Sequence, residues 1–313
     1  MREAVTVSQF AALKAYADEI GFTEVGALPL TAPDEAFKAF YDNFLATGRH
    51  ADLRYLERKE RFDLLTVLPT AQSILLFAYP YRFSSVEIKL RAAPYKIARY
   101  AWQRDYHLLL REKLQHIAAQ FSLVGRAVTD SAPVPERYWA RRAGLGKIGR
   151  NGMLISPERG SYFFIAALLI ENPLAAQLRQ PAAVPAPAED IHSLCGECRL
   201  CVDACPTAAL TGDGLMQVEK CISYTTIEDT RSASYAPETR RHRWIFGCDI
   251  CQQVCPYNKT ESSYAREELN TEHTAAVDIA AGVVPASRAP LKGSVFLRRG
   301  LQKLRDNISA VED

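Results

Sequence analysis

CGECRLCVDACP, residues 195–206, decides how this chain is read. In Cys195-x2-Cys198-x2-Cys201-x3-Cys205-Pro206 the spacing lets a short loop wrap three thiolates around one face of an iron-sulfur cubane, while the fourth ligates a neighbouring cluster. A second block, CDICQQVCP at 248–256, repeats the Cys248-x2-Cys251-x3-Cys255-Pro256 half but lacks a first cysteine, which Cys221 can supply from upstream. The chain has eight cysteines, all between Cys195 and Cys255. The crossed ligation of two-cluster ferredoxins then gives Cys195, Cys198, Cys201 and Cys255 to one 4Fe-4S cluster, and Cys205, Cys221, Cys248 and Cys251 to the other.

Two other uses of cysteine fit less well. A disulfide framework belongs to small secreted chains, whereas the N-terminal MREAVTVSQF carries Glu3 and no apolar core of signal-peptide length. Zinc knuckles share C-x2-C but do not need three cysteines at two-residue spacing followed by Cys-Pro.

With 313 residues, 48% apolar and 24% charged, the chain has the composition of a globular protein of about two domains. An electron carrier needs little more than the cysteine-bearing part, so the residues before 181 are expected to hold another core and another task. No apolar run reaches the roughly 18 residues of a membrane span. The longest, 162–170, has strand length. Thiolate-ligated clusters without an export signal predict a cytoplasmic protein. Net charge is only +2, but its distribution is uneven. Arg288, Lys292, Arg298, Arg299, Lys303 and Arg305 follow one another with no acidic residue between, and Arg240, Arg241 and Arg243 precede the second cysteine block. Such a run is either a solvated helix face or a surface for phosphates.

Apolar residues at helical spacing predict a helix over 5–20, stopped by Gly21, and another over 106–121. Strands are predicted at 24–30, 73–79, 126–129 and 162–170. Residues 172–190, with Pro173, Pro181, Pro185 and Pro187 among alanines, read as a linker, and 291–311 as a last basic helix. Gly144, Gly146 and Gly149 match G-x-G-x-x-G, with Glu171 at the distance of a ribose-binding acid. The dinucleotide fingerprint, however, leaves a strand and opens a helix. Here 136–143 reads as helix, and Asn151-Gly152, Pro157 and Gly160 break any helix after the glycines. Asp190-Ile-His192 begins the D-x-H-x-x-G motif that ligates cobalt, but its glycine comes one residue late, as Gly196, so His192 reads as an exposed linker residue. Tyr100, Trp102 and Tyr106 read as core aromatics.

ARYAWQRDYH at 98–107, TDSAPVPERYWARRAGLGKIGRNGMLISPERGSY at 129–162, the two cysteine blocks and GSVFLRRGLQKLRDN at 293–307 together resemble epoxyqueuosine reductase, over most of the chain from Leu13 to Asn307. The resemblance implies a cobalamin-dependent enzyme that performs the last step of queuosine synthesis, reducing an epoxide on the modified base at the tRNA wobble position. It implies an α+β fold, with an N-terminal cobalamin-binding α/β sandwich-like catalytic domain at 1–180, a ferredoxin-like domain with two 4Fe-4S clusters at 181–260, and a short basic helical tail at 261–313. It makes Asp130 the acid that protonates the departing oxygen, and places Arg61, Ala98, Asp130, Arg137, Arg150, Leu154, Ser223 and Asp249 against cobalamin. Arginines suit the corrinoid's amides and phosphate, while Ala98 and Leu154 act through backbone or packing. The expected partners are a tRNA anticodon stem-loop and an external donor such as a flavodoxin or ferredoxin system, with no membrane and a monomeric protein.

Many members of that family continue into HEAT-like repeats that help hold tRNA, whereas this chain reads to Asp313, which gives the 288–305 run more weight in substrate grip. Two other readings stay open on the residues. A reductive dehalogenase-like enzyme of small molecules is expected to carry a twin-arginine leader, and a ferredoxin-type electron-transfer subunit is expected to bind no corrinoid.

Overall fold

Ser73–Pro80 is the pivot of the fold because every one of its residues is buried. A strand whose two faces are both covered needs a nearly continuous apolar run, which SILLFAYP supplies after Ser73. The computed structural model describes residues 2–130, 132–178, 187–231, 240 and 242–312. Helix α1 (Val7–Glu19), capped where Thr6 Oγ1 accepts from Gln9 N, leads into β1 (Glu24–Pro29). Helix α2 (Glu35–Ala46) and β2 (Ser73–Pro80) come after it, then α3 (Ser84–Leu90), β3 (Lys96–Ile97), α4 (Tyr106–Gln120) and β4 (Gly125–Val128). Next come α5 (Glu136–Arg142), the hairpin strands β5 (Lys147–Ile148) and β6 (Leu154–Ile155), and β7 (Phe163–Ile170). The main sheet has the order β1-β2-β7-β4, antiparallel throughout, with Ser73 opposite Ile170 and Pro80 opposite Phe163.

Alternation along β2 divides the core. Leu75, Phe77 and Tyr79 join Leu13 and Ala17 of α1 and Leu110, Leu114 and Ile117 of α4 on one face. On the other, Ile74, Leu76 and Ala78 pack with Val128, Leu154, Tyr138 and Trp139, the last two from α5. The sheet is thus sandwiched by helices, as the α+β reading expects.

The cysteine-bearing part comprises α6 (Pro187–Cys195), α7 (Leu200–Asp203), α8 (Ile222–Ile227), β8 (Trp244–Phe246) and α9 (Ile250–Gln253). Beyond it, α10 (Ala275–Ala280) and α11 (Gly300–Glu312) return to the larger core, burying Ala276, Ile279, Leu304 and Val311 there. Strand β8 pairs in parallel with β3, so the module is joined to the sheet domain by backbone hydrogen bonds.

Three expectations change. Residues 179–186 of the expected linker, and Arg241, lie outside the described residues, but 187–195 is helix, and Asp190 is buried in an ion pair with Arg141. His192 is exposed as expected, but on that helix. The expected helix over 291–311 begins only at Gly300, because Gly293 and Gly300 take φ of 81° and 78° and the chain between them forms a short 3-10 turn. The glycine motif forms the β5–β6 hairpin after α5 ends, where a side chain at Gly146 would meet the carbonyl oxygen of Ile155 at 2.6 Å.

Candidate active site and cluster module

The two cysteine blocks take one local form. A single helical turn spans Cys201 in the first and Cys251 in the second, and the last cysteine of each donates its N–H three residues back, Cys205 to Val202 and Cys255 to Gln252, both at 3.2 Å. This geometry turns thiols separated by two and three residues toward one side. Cys201 lies within electrostatic reach of Cys195, Cys198 and Cys255, whereas Cys248 faces Cys221 and Cys205, and Cys251 faces Cys248 and Cys221. The neighbours of Cys201 all belong to one of the sets assigned from spacing and those of Cys248 to the other, while Cys251 is near members of both.

Burial pushes the Cys201 thiol up to about 11 and raises Cys221, Cys248, Cys251 and Cys255 as well. Thiolates at such sites call for a strongly positive partner. Backbone donors already aim at the sulfurs. Ala209 N–H lies 3.3 Å from Cys205 Sγ, and the amides of Ser223 and Tyr224 point at Cys221. Hydrogen bonds of this kind stabilise the negative charge of a thiolate-ligated cluster, so the donor set fits two cubanes.

Asp130 stands at the end of β4, in the turn before α5, with φ +49°. Asp130 is exposed as a residue, yet its Oδ2 accepts from the buried Tyr106 hydroxyl at 2.7 Å, and its N–H donates to Glu136 Oε1 at 3.0 Å. Burial, with the Asp130 charge adding to it, lifts Glu136 to about 7. Tyr55, Tyr100 and Arg298 are close enough for Asp130 to bias their ionisation. Arg298 and Arg299 clasp Glu228 at 2.7 and 2.8 Å, and together they wall a cleft of about 390 Å³ that also takes in Asp52 and Tyr55.

The basic run is thus not a uniform solvated face. Two of its arginines border the cleft, Lys303 Nζ is buried and its ammonium lowered by that burial, and Arg305 donates to Pro285 O. Tyr106 is buried as a core aromatic, but it also touches Asp130 directly. Sequence reasoning does not single out Tyr55, Glu136 or Glu228. An acid in the first turn of a helix reads as a response to the helix dipole, and nothing in spacing marks the other two.

The residues expected against cobalamin fall into groups. Arg61, Arg137 and Asp130 share the α5 side. The Arg61 guanidinium lies 5.9 Å from the Tyr41 ring centroid with its Nε buried and unpartnered, and Arg137 donates to Gly152 O. Ala98, Ser223 and Asp249 stand at the module. Ala98 packs with Ile222, Trp244 and Cys248, and Asp249 Oδ2 accepts from Arg99 N at 2.8 Å and from its guanidinium at 3.2 Å. Arg150 donates to Gly196 O and Gly212 O, bracing the first cysteine loop, and only its Nε lacks a partner. Leu154 is buried beneath the sheet.

Residues 194–258 match the model of a 4Fe-4S double cluster binding domain, and 61–131 match the epoxyqueuosine reductase QueG model. A relative from Leadbetterella byssophila named epoxyqueuosine reductase is 38% identical over 280 residues, covering 83% of this chain and 85% of its own. A crystal structure of epoxyqueuosine reductase with an epoxyqueuosine-modified tRNA-Tyr stem loop superimposes with a TM-score of 0.76 at 26% identity, covering 97% of this chain and 81% of that one. The Bacillus subtilis enzyme, with its aspartate-bearing catalytic loop swung out of the active site, gives 0.74 at 26% over the same shares. Among the described residues no helix is long and apolar enough to cross a membrane. With a curated relative at this identity over so much of both chains, the chain belongs to the epoxyqueuosine reductase family.

Proposed function

We infer that this chain reduces epoxyqueuosine to queuosine in tRNA, using two 4Fe-4S clusters and cobalamin, with Asp130 as the acid. The observation that carries the reading is the carboxyl of Asp130, oriented on a loop beside an arginine-walled cleft in a chain that also carries the eight-cysteine double-cluster domain. Opening the epoxide and expelling its oxygen as water while a carbon-carbon double bond forms takes two electrons and two protons. Side chains cannot give the electrons, so cofactors must. The clusters store and pass them singly, and cobalamin, when bound, supplies a cobalt centre of high reducing power and nucleophilicity.

The residues present fit a corrinoid. The buried, unpartnered Nε of Arg61 awaits an acceptor, and Arg137 adds a second cation. Arg61 and Arg137 would hold amides or phosphate, and Ala98, Ser223 and Asp249 would bring the group next to Cys221 and Cys248. Asp130 then gives a proton to the epoxide oxygen as it leaves carbon. Arg298 and Arg299 present cations at the cleft mouth, where phosphates of the anticodon loop would pass. Residues 1–180 thus serve as the catalytic part, 181–260 as the relay and 261–313 as the basic edge. An external flavodoxin- or ferredoxin-type donor recharges the clusters of a monomeric, cytoplasmic enzyme.

Asp130→Asn tests the acid. Turnover of an epoxyqueuosine-bearing stem-loop should fall about 10^2- to 10^4-fold while cluster and cobalamin spectra persist. Near-normal turnover would mean that the proton comes from elsewhere.

A further inference from the structure

We propose that Tyr106 and Glu136 form a two-point clamp on Asp130, as positioning residues that hold its carboxyl in line for proton transfer. The proposal rests on Asp130 being the acid, as inferred above.

Asp130 has φ +49°, a left-handed conformation uncommon for a residue with a side chain though less so for Asp, and its surroundings hold it there. Those surroundings are two hydrogen bonds from different elements. Tyr106, the first residue of α4, fixes the side chain through its 2.7 Å bond to Oδ2. Glu136, in the first turn of α5, fixes the backbone by accepting the Asp130 N–H at 3.0 Å.

Both anchors are rigid. The Tyr106 ring is stacked on Phe164 at 4.3 Å and 8°, meets His107 at 4.0 Å on an adjacent contact, and has the edge of Tyr100 at 6.2 Å. Glu136 starts a helix whose Tyr138 and Trp139 are sunk into the core. An exposed loop aspartate without such anchors would wander, and a displacement of about 1 Å can cost on the order of 10^2-fold in rate.

The clamp also selects the reacting atom. Burial raises the Tyr106 phenol well above its ordinary value, so it stays a donor, and Oδ2 stays its acceptor. The proton to be transferred therefore sits on Oδ1. Glu136 needs only a carbonyl oxygen to hold the Asp130 N–H, so an amide can replace its carboxyl.

The test is a set of turnover measurements with the reconstituted enzyme and an epoxyqueuosine-bearing stem-loop. Tyr106→Phe and Glu136→Ala should each lower kcat roughly five- to tenfold, with KM for the stem-loop and the cobalamin titration unchanged. Glu136→Gln should stay within about twofold of the parent, because the acceptor is retained. In an Asp130→Asn background Tyr106→Phe should cost nothing further, since two residues acting through one carboxyl are not additive. If the Tyr106→Phe loss instead multiplies on Asp130→Asn, or if Glu136→Gln is as impaired as Glu136→Ala, the clamp is wrong while the acid stands. Full turnover by Asp130→Asn alone removes the acid and the clamp together.

Discussion

The cysteine module and the Asp130 pocket are built in opposite ways. Seven of the eight cysteines come from two short loops that impose their own geometry, and only Cys221 is brought from a distance. The pocket draws Tyr55, Tyr106, Asp130, Glu136, Glu228 and Arg298 from six places along the chain, and the fold alone gathers them. A cluster demands a fixed set of ligands at fixed spacing, whereas an acid needs only one carboxyl and whatever neighbours orient it. The module is therefore written locally and the pocket globally.

Cys221→Ala breaks the comparison at its sharpest point, because Cys221 is the one ligand that the local repeat does not supply. Anaerobically prepared protein should drop from about eight iron atoms to about four, with the cluster of Cys195, Cys198, Cys201 and Cys255 left intact. Full iron content would show that the crossed assignment is mistaken. A smaller effect is expected at the cleft. Arg298→Gln with Arg299→Gln should weaken stem-loop binding and lower its salt slope by up to about one per lost phosphate contact, leaving iron content unchanged. An unaltered slope would leave both arginines with the structural task of pairing with Glu228.

Legibility in the sequence divides along the same line. Strands Ser73–Pro80 and Phe163–Ile170 are visible as apolar runs because both faces of the sheet are covered. The cysteine sets are visible because ligand spacing is a chemical constraint on adjacent residues. Helix α2 escapes the reading although Asp34 caps it through Phe37 N and Phe37, Phe40, Tyr41, Phe44 and Leu45 recur at helical spacing. Tyr106 reads as core because its ring is core, and only its hydroxyl reaches the pocket. The positive φ of Asp130 and its bond to Glu136 exist only once β4 and α5 are in place. The basic run looks uniform because sequence shows charges and hides their partners. Glu228, far upstream, claims two of them.

The central claim is that pocket and module act together on an epoxide in tRNA. Anaerobically reconstituted protein should be given cobalamin, a chemical reductant and a stem-loop carrying epoxyqueuosine, and the RNA then digested and its nucleosides weighed by mass spectrometry. The expected product has lost the mass of one oxygen atom and forms only when cobalamin is present. Unchanged epoxyqueuosine in the complete mixture, with both clusters intact and reduced, would contradict the claim.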